Sequence, residues 1–595
     1  MNRIADYVKG SSLQNPFSDS QARNFSDTKM INEFCPVSNY WSLFNDQHEV
    51  LLGTRGSGKT FLLKMMRYSM MKRIQAPEAQ KMAEEKKYIG LYVPMYLEFV
   101  THLTRSNVSE NNQVEIFQVA FNCLLAQSLL VEIKDMLSEI GDKLECAKTN
   151  LRLTYELNNI WFDDDGDDVS DLFSLTTKLK KLFYSLDLNS NNHQEIPPVF
   201  KRQIGASLYA VKELVANRLG MVEEPTWIIC IDEAEFLSVP MQRCVNSLFR
   251  SDSNRVALKV ATLPYYHRTL ETLNQDITVS PGNDFSYRVV DMKFDSPDFI
   301  NLTNSLVVHR MSSRFDRNIS ISKLEDFLGE IGADDQIDYY REELGEENST
   351  YEKITADIIN ELSETRKNSV DGYSNIRKSV YDKFAPIFYV RQMYKRSKRG
   401  NTKPGWYAGG QVIRKVSQGN PRVFIQIMND LFEKARKSEL TPKVQHGIIL
   451  DYVHSFCEST QALETNGPIM HRTLDLISKT LQSNVHDGIL KSSGCNFLIS
   501  YTSKESFLHT KKWLEQAVAY SRLLVDEDTL KNGIKETTEF SLANTYAAQY
   551  WIPMRADVSP KKITLTDDCE LRYKVTMSRK KISQGDQLTF WGGEE

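Results

Sequence analysis

Short apolar runs at residues 48–52, 89–97, 227–231 and 255–262 are separated by stretches whose apolar residues recur every three or four positions. Continuous apolar runs bounded by polar turns predict strands buried on both faces, and helical stretches between them predict a parallel sheet covered by helices. Residues 61–66 predict a helix directly after the first strand, 114–137 a long amphipathic helix, and 239–249 the helix joining the third strand to the fourth. About 130 residues lie between the second and third strands, far beyond an ordinary connection, so a helical insertion over about 105–215 is expected. A second interruption spans about 316–405.

The last quarter changes pattern. Residues 471–481, and the stretch opened by the capping box Thr502-Ser503-Lys504-Glu505 and running to Tyr520, predict two helices. Residues 523–525 and 538–542 then predict a hairpin turning near Lys531-Asn532-Gly533. Helices followed by a hairpin predict a winged-helix-like domain over 445–558, with Lys504, Lys511 and Lys512 on the recognition helix and Lys531 and Lys535 near the wing tip. A tail over 559–595 carries a strand at 571–575 and the cations Arg579-Lys580-Lys581.

Chemistry enters between the first strand and its helix. Residues 53–60 read Gly-Thr-Arg-Gly-Ser-Gly-Lys-Thr, a phosphate-binding P-loop in strand-loop-helix context. Gly53, Gly56 and Gly58 let the backbone turn its N–H groups toward phosphates, with Thr54, Arg55, Ser57 and Phe61 completing the nucleotide-binding set. Lys59 is placed for the β and γ oxygens and Thr60 for Mg²⁺, so ATP and Mg²⁺ are the expected ligands. The third strand ends in Asp232-Glu233-Ala234-Glu235, where Asp232 is placed to hold Mg²⁺ and Glu233 to polarise an attacking water. Thr262 ends the fourth strand, where its hydroxyl could orient that water. An ATPase that releases ADP and phosphate is expected.

Composition narrows the setting. A net charge of −5 argues against a protein that coats nucleic acid with its whole surface, leaving local basic faces open. The eight cysteines show no metal spacing, and no apolar leader or eighteen-residue apolar run occurs, so a cytoplasmic protein with reduced thiols and no membrane partner is expected. Asp163-Asp164-Asp165-Gly166-Asp167-Asp168 lacks the alternation of a calcium loop and reads as a solvated acidic loop.

With a polar strand end after the acidic strand and Gly419-Asn420-Pro421-Arg422 in a later helical region, the chain resembles AAA+ ATPases of the origin-recognition-complex and cell-division-cycle initiator group and the related STAND ATPases. The resemblance implies an αβα core over 46–300, a helical lid over 301–440 and an N-terminal lead over 1–45 near the nucleotide. It also implies that Arg422 contacts the γ-phosphate from the lid, although Pro421-Arg422 equally suits the start of a helix over 423–432. Residues 285–297 look like the last core strand of that group, which makes Arg288 the candidate for an arginine acting on a neighbouring subunit's nucleotide, with Arg268 and Arg314 as alternatives. Asn15-Pro16-Phe17 and Arg23-Asn24-Phe25 in the lead either cover the adenine or form a packing arm.

The long lid insertion, absent from simpler initiators, brings the chain closer to the initiator-like ATPases of prokaryotic mobile and anti-phage defence loci. Its first half is acidic (Asp334, Asp335, Asp338, Glu342, Glu343, Glu346, Glu347) and its end basic: Arg391, Lys395, Arg396, Lys398, Arg399 and Lys403, interleaved with Tyr389 and Tyr394 and followed by Trp406-Tyr407. Such a patch suits a nucleic-acid backbone with aromatics stacking on bases, or a solvated loop answering the acids. Two functions follow as expectations: an oligomeric ATPase that senses or remodels nucleic acid, or an ATP-gated scaffold that controls an effector protein.

Overall fold

The computed structural model describes residues 8–9, 14–20, 25–105, 109–163, 169–186, 196–251, 254–312, 321–329, 351–368, 374–398, 405–464, 466–557 and 560–565. Five strands, β1 (Glu49–Leu52), β2 (Tyr88–Pro94), β3 (Thr226–Asp232), β4 (Val256–Thr262) and β5 (Ser286–Val289), form one parallel sheet in the order β2-β3-β4-β1-β5. Every residue of β1, β3 and β4 is buried, as their unbroken apolar runs require. Placing β1 between β4 and β5 puts the loop after β1 in the middle of the strands' carboxyl ends, where α/β sheets bind ligands.

The first insertion is helical as expected, with Glu110–Leu137, Lys143–Phe162 and Leu172–Tyr184 as its long members. Glu110–Leu137 differs from the one-sided helix its sequence suggests. It packs against β2, against the Val239–Phe249 helix and against several helices of the insertion, and its apolar residues go all the way round. By length and composition it passes for a membrane span, yet it is buried in the fold. Glu132 inside it accepts hydrogen bonds from the Ser69 backbone N–H at 2.7 Å and hydroxyl at 3.1 Å, and burial pushes its carboxyl up to about 7.

The lid comprises Pro297–Ser312, Gly410–Ser417 and Pro421–Ala435, with Tyr351–Glu361 and Ser374–Lys398 from the second insertion. It shares one apolar core with the C-terminal region. There the helices Pro442–Glu458, Gly467–His486 and Lys504–Ala519 accompany a second sheet of β6 (Asn496–Tyr501), β7 (Leu523–Leu524), β8 (Glu539–Leu542) and β9 (Lys561–Leu565), ordered β7-β8-β6-β9. The expected hairpin forms as the antiparallel pair β7–β8. Its connection is not a bare turn: Asp526 accepts the Thr529 N–H at 2.7 Å and caps a short helix, Glu527–Asn532, before Gly533 at φ 87°. One helix, Lys504–Ala519, lies between β6 and β7, and β9 adds a parallel edge that the sequence reading did not foresee. The predicted strand at 571–575, the cations at 579–581, Arg314, and the acidic residues 334–347 lie outside the described residues.

Candidate nucleotide site

The loop leaving β1 is pinned from several sides. Gly53 donates its N–H to the Thr262 carbonyl at 3.3 Å, and a Cβ on Gly53 would lie 2.5 Å from both Ser57 Oγ and Val290 Cγ2. Gly56 and Gly58 hold φ of 95° and 96°, which side-chain-bearing residues rarely adopt. Asp291, just after β5, accepts the Thr54 N–H at 3.0 Å and its hydroxyl at 2.8 Å. Burial raises the Asp291 pKa, and the Lys59 charge opposes that rise. Lys59, on the first turn of the Lys59–Met65 helix, is buried, with Nζ donating to the carbonyls of Gly53 at 2.5 Å and Thr54 at 3.2 Å.

The acidic end of β3 sits beside it. Asp232 accepts the Tyr92 hydroxyl at 2.8 Å through Oδ2 and the Glu233 N–H at 3.0 Å through Oδ1. Glu233 is held at φ 58° and ψ 36°, a left-handed conformation that aims the chain into the short turn Ala234–Phe236. That turn brings in a third carboxylate, Glu235, to which the sequence reading gave no role. Its Oε2 and the Oγ of Ser57 are buried without a hydrogen-bond partner among the described residues. Burial, with Asp232 and Glu233 adding to it and Lys59 opposing, pushes Glu235 up to about 7. Orphaned buried polar atoms are expensive, and a phosphate or cation with its water would satisfy these two. The residue set therefore fits a Mg²⁺-nucleoside triphosphate, with the P-loop and Lys59 for phosphates and Thr60 and Asp232 for the cation.

These groups open into one cleft of about 490 Å³. The lining also includes the apolar side chains of Phe34, Val37, Leu43, Val290, Leu306 and Ile425. The lead packs against the lid and also lines the cleft. Asn15 donates to Asn429 Oδ1 and Glu433 Oε1, each at 2.9 Å, and Phe17 packs on Phe432, whereas Phe25, Phe34 and Val37 line the cleft. Arg23 and Asn24 lie outside the described residues.

The Gly-Asn-Pro-Arg motif lies directly on the P-loop. Asn420 Oδ1 accepts the N–H groups of Arg422 at 3.1 Å and Val423 at 3.3 Å, capping the Pro421–Ala435 helix, while its Nδ2 donates to the Arg55 carbonyl at 3.0 Å. A Cβ on Gly56 would lie 2.7 Å from Asn420 Oδ1 and 2.8 Å from Arg422 Cβ, so the loop glycine makes room for the lid. Gly419, at φ 76°, passes so close to the Met292 carbonyl that a Cβ would collide with it. Arg422 lines the cleft. Capping and nucleotide contact are thus compatible roles of one motif.

Of the other candidates, Arg268 and Arg288 line the cleft and Thr262 does not. Thr262 holds the loop by its carbonyl, but its hydroxyl is buried on the sheet face beside Ala234, Val245 and Asn246 and does not line the cleft. Arg288 points along β5 to the opposite end of β1, with Nη2 2.7 Å from Glu49 Oε1 and Nη1 donating to Ser42 Oγ at 2.7 Å. Arg268 is exposed on the cleft rim, 5.0 Å from the Tyr266 ring centroid.

The aromatic half of the basic patch is overturned. Tyr389, Trp406 and Tyr407 are core residues and cannot stack on bases, and Arg391 is buried, with Nη2 donating to the Gly488 carbonyl at 2.8 Å. Tyr394 packs on His486 at 4.0 Å between ring centroids. The interleaving that suggested nucleic acid is the helical repeat of a packed face. Lys395 and Lys398 remain exposed at the helix end; Arg399 and Lys403 lie outside the described residues. Lys504, Lys512 and Lys535 are exposed, whereas Lys511 and Lys531 pair with Glu515 at 3.8 Å and Glu527 at 2.6 Å. No metal-holding cluster of His, Cys, Asp and Glu occurs among the described residues. Residues 15–562 match the model of the ORC-CDC6-like family, and no curated protein matches the chain.

Proposed function

The chain belongs to the ORC-CDC6-like family of AAA+ ATPases, and on that premise we propose that it binds ATP with Mg²⁺ in this cleft and hydrolyses it, coupling turnover to nucleic acid. One observation carries the reading: the P-loop, the acidic end of β3 and the lid motif converge on one cleft that holds orphaned buried polar atoms. Lys59 exchanges its two carbonyl partners for phosphate oxygens, and the adenine packs on apolar side chains of the lining. Thr60 and Asp232 would hold Mg²⁺, which would supply charge neutralisation on the phosphates. Glu233 orients the water and draws its proton as the oxygen attacks, and Arg422 carries the lid's response. Thr262 acts through its carbonyl on the loop. Arg288 is the trans candidate, which requires it to leave Glu49 when a second subunit docks.

Nucleic acid would meet Lys395, Arg396 and Lys398 and the exposed lysines of the C-terminal region. Three phosphate contacts from the lid helix give log affinity against log salt a slope of roughly −3. A place in anti-phage defence rests on the long lid insertion, and cells carrying the parent or Lys59→Ala chain, challenged with phage, test it. A second reading, an ATP-gated scaffold for an effector protein, is favoured by Leu144, Leu151 and Tyr155, exposed along one helix of the first insertion at 63%, 60% and 49%. ATP turnover with double-stranded, single-stranded and no DNA, alongside particle mass, separates the two. Stimulation by DNA supports the first; ATP-driven assembly indifferent to DNA supports the second.

A further inference from the structure

Two arginines on the cleft lining are given no step in the hydrolysis described above. Arg55 at the apex of the P-loop and Arg268 on the loop after β4 both line the cleft with exposed side chains, and neither is ion-paired among the described residues. Each guanidinium lies over a tyrosine instead, Arg55 at 5.8 Å from the Tyr520 ring centroid and Arg268 at 5.0 Å from that of Tyr266. Both hydroxyls end on one carboxylate. Tyr266 donates to the two oxygens of Glu464 at 3.0 and 3.1 Å, Tyr520 donates to Oε1, and Gln516 adds a bond at 2.6 Å.

The arrangement crosses a domain boundary. Tyr266 belongs to the core, whereas Glu464, Gln516 and Tyr520 belong to the C-terminal region. Beside Tyr520, the Ala519 carbonyl accepts the Arg55 N–H at 3.1 Å, so the C-terminal region touches the P-loop itself. Leu263, Tyr266, Ala519 and Tyr520 close a small apolar cluster around the contact. The charges communicate: burial and then Glu464 push the Tyr520 hydroxyl up to about 12, and Arg55 pulls the other way.

A cation over an exposed ring is weakly held. A terminal phosphate brings more charge and several acceptor oxygens that match a guanidinium fork. Arginines drawn to it would leave the tyrosine faces, and Glu464 would lose its neighbouring positive charge. A diphosphate lacks that terminal group. We propose that Arg55 and Arg268 distinguish a nucleoside triphosphate from a diphosphate, and that Glu464 competes with the terminal phosphate for them, so that the triphosphate loosens the C-terminal region from the P-loop. This rests on the ATP-binding reading above.

Equilibrium binding of ATP and of ADP, each with Mg²⁺, to the Glu233→Gln protein and to its Glu464→Gln and Tyr520→Phe derivatives tests it. Glu464→Gln should tighten ATP by about fivefold or more while leaving ADP within about twofold. Tyr520→Phe keeps the ring and should act in the same direction, and Arg55→Ala with Arg268→Ala should bring ATP affinity down toward that of ADP. Hydrogen exchange at the Arg55 amide should be faster with ATP than with ADP. ATP and ADP affinities that move together in both Glu464→Gln and Tyr520→Phe, or weaker ATP binding by Glu464→Gln, overturns the proposal. Failure of the Glu233→Gln protein to bind either nucleotide would instead overturn the ATP-binding reading.

Discussion

Two buried charge clusters flank β1, and they are finished differently. At its carboxyl end, Lys59, Asp232, Glu233 and Glu235 surround a cleft in which Glu235 Oε2 and Ser57 Oγ have no hydrogen-bond partner among the described residues. At its amino end, Glu49 is paired with Arg288 at 2.7 Å and with Lys259 at 3.6 Å, and Lys259 also donates to Asn45 Oδ1 and the Gln47 carbonyl, each at 2.9 Å. The second cluster is closed off from the cleft, which neither Glu49 nor Lys259 lines, although Glu49 Oε2 too lacks a hydrogen bond among the described residues. Buried charge and unpaired polar atoms therefore do not by themselves mark a site; carboxylates and a lysine that line one cleft do.

Arg288 belongs to both clusters, because it pairs with Glu49 and also lines the cleft. As a trans arginine it should cost about 10³-fold in turnover when replaced by alanine, in a preparation confirmed as oligomeric. Mixing Arg288→Ala with Lys59→Ala subunits should restore part of that rate, since some interfaces regain one good P-loop and one good arginine. Unimpaired turnover of Arg288→Ala would leave Arg288 to the closed cluster alone. Glu49→Ala sharpens the same contrast through stability. It strands Lys259, which is fully buried and already lowered to about 8 by burial, and should cost about 3 kcal/mol in a denaturant titration.

Asn420→Ala tests the seam between lid and loop. Losing the cap and the bond to the Arg55 carbonyl should lower stability by about 1–2 kcal/mol and slow turnover, as read by thermal unfolding and phosphate release. A smaller effect follows from Glu235. Its folded pKa, about 7, lies above the ordinary glutamate value of 4.5, so across that window the folded state holds a proton that the unfolded chain releases, and stability falls as pH rises from 4.5 to 7. Glu235→Gln should flatten that slope in nucleotide-free protein, and an unchanged slope would place the titration elsewhere.

The parallel core was legible because its strands are unbroken apolar runs and because the P-loop and Asp232-Glu233 are fixed by local spacing. Gly419-Asn420-Pro421-Arg422 was legible as a motif, but its bond to Arg55 spans more than three hundred residues and leaves no local trace. Tyr92, Asp291 and Glu464 were missed for the same reason: each acts through long-range hydrogen bonds. Misreading of the basic patch had the opposite cause. Tyr389 and Arg391 looked like a surface because their charges and rings alternate, and only packing against the C-terminal region shows that this alternation is a buried helix face.

The central claim is that the open cluster is an ATPase site. ATP binding and turnover, measured on the same samples of parent, Lys59→Ala and Glu233→Gln protein, test it most directly. The account predicts that Lys59→Ala loses about 10²-fold or more in ATP affinity, while Glu233→Gln binds like the parent and turns over about 10²–10⁴-fold more slowly. Equal ATP affinity in Lys59→Ala and the parent, or full turnover in Glu233→Gln, would contradict it.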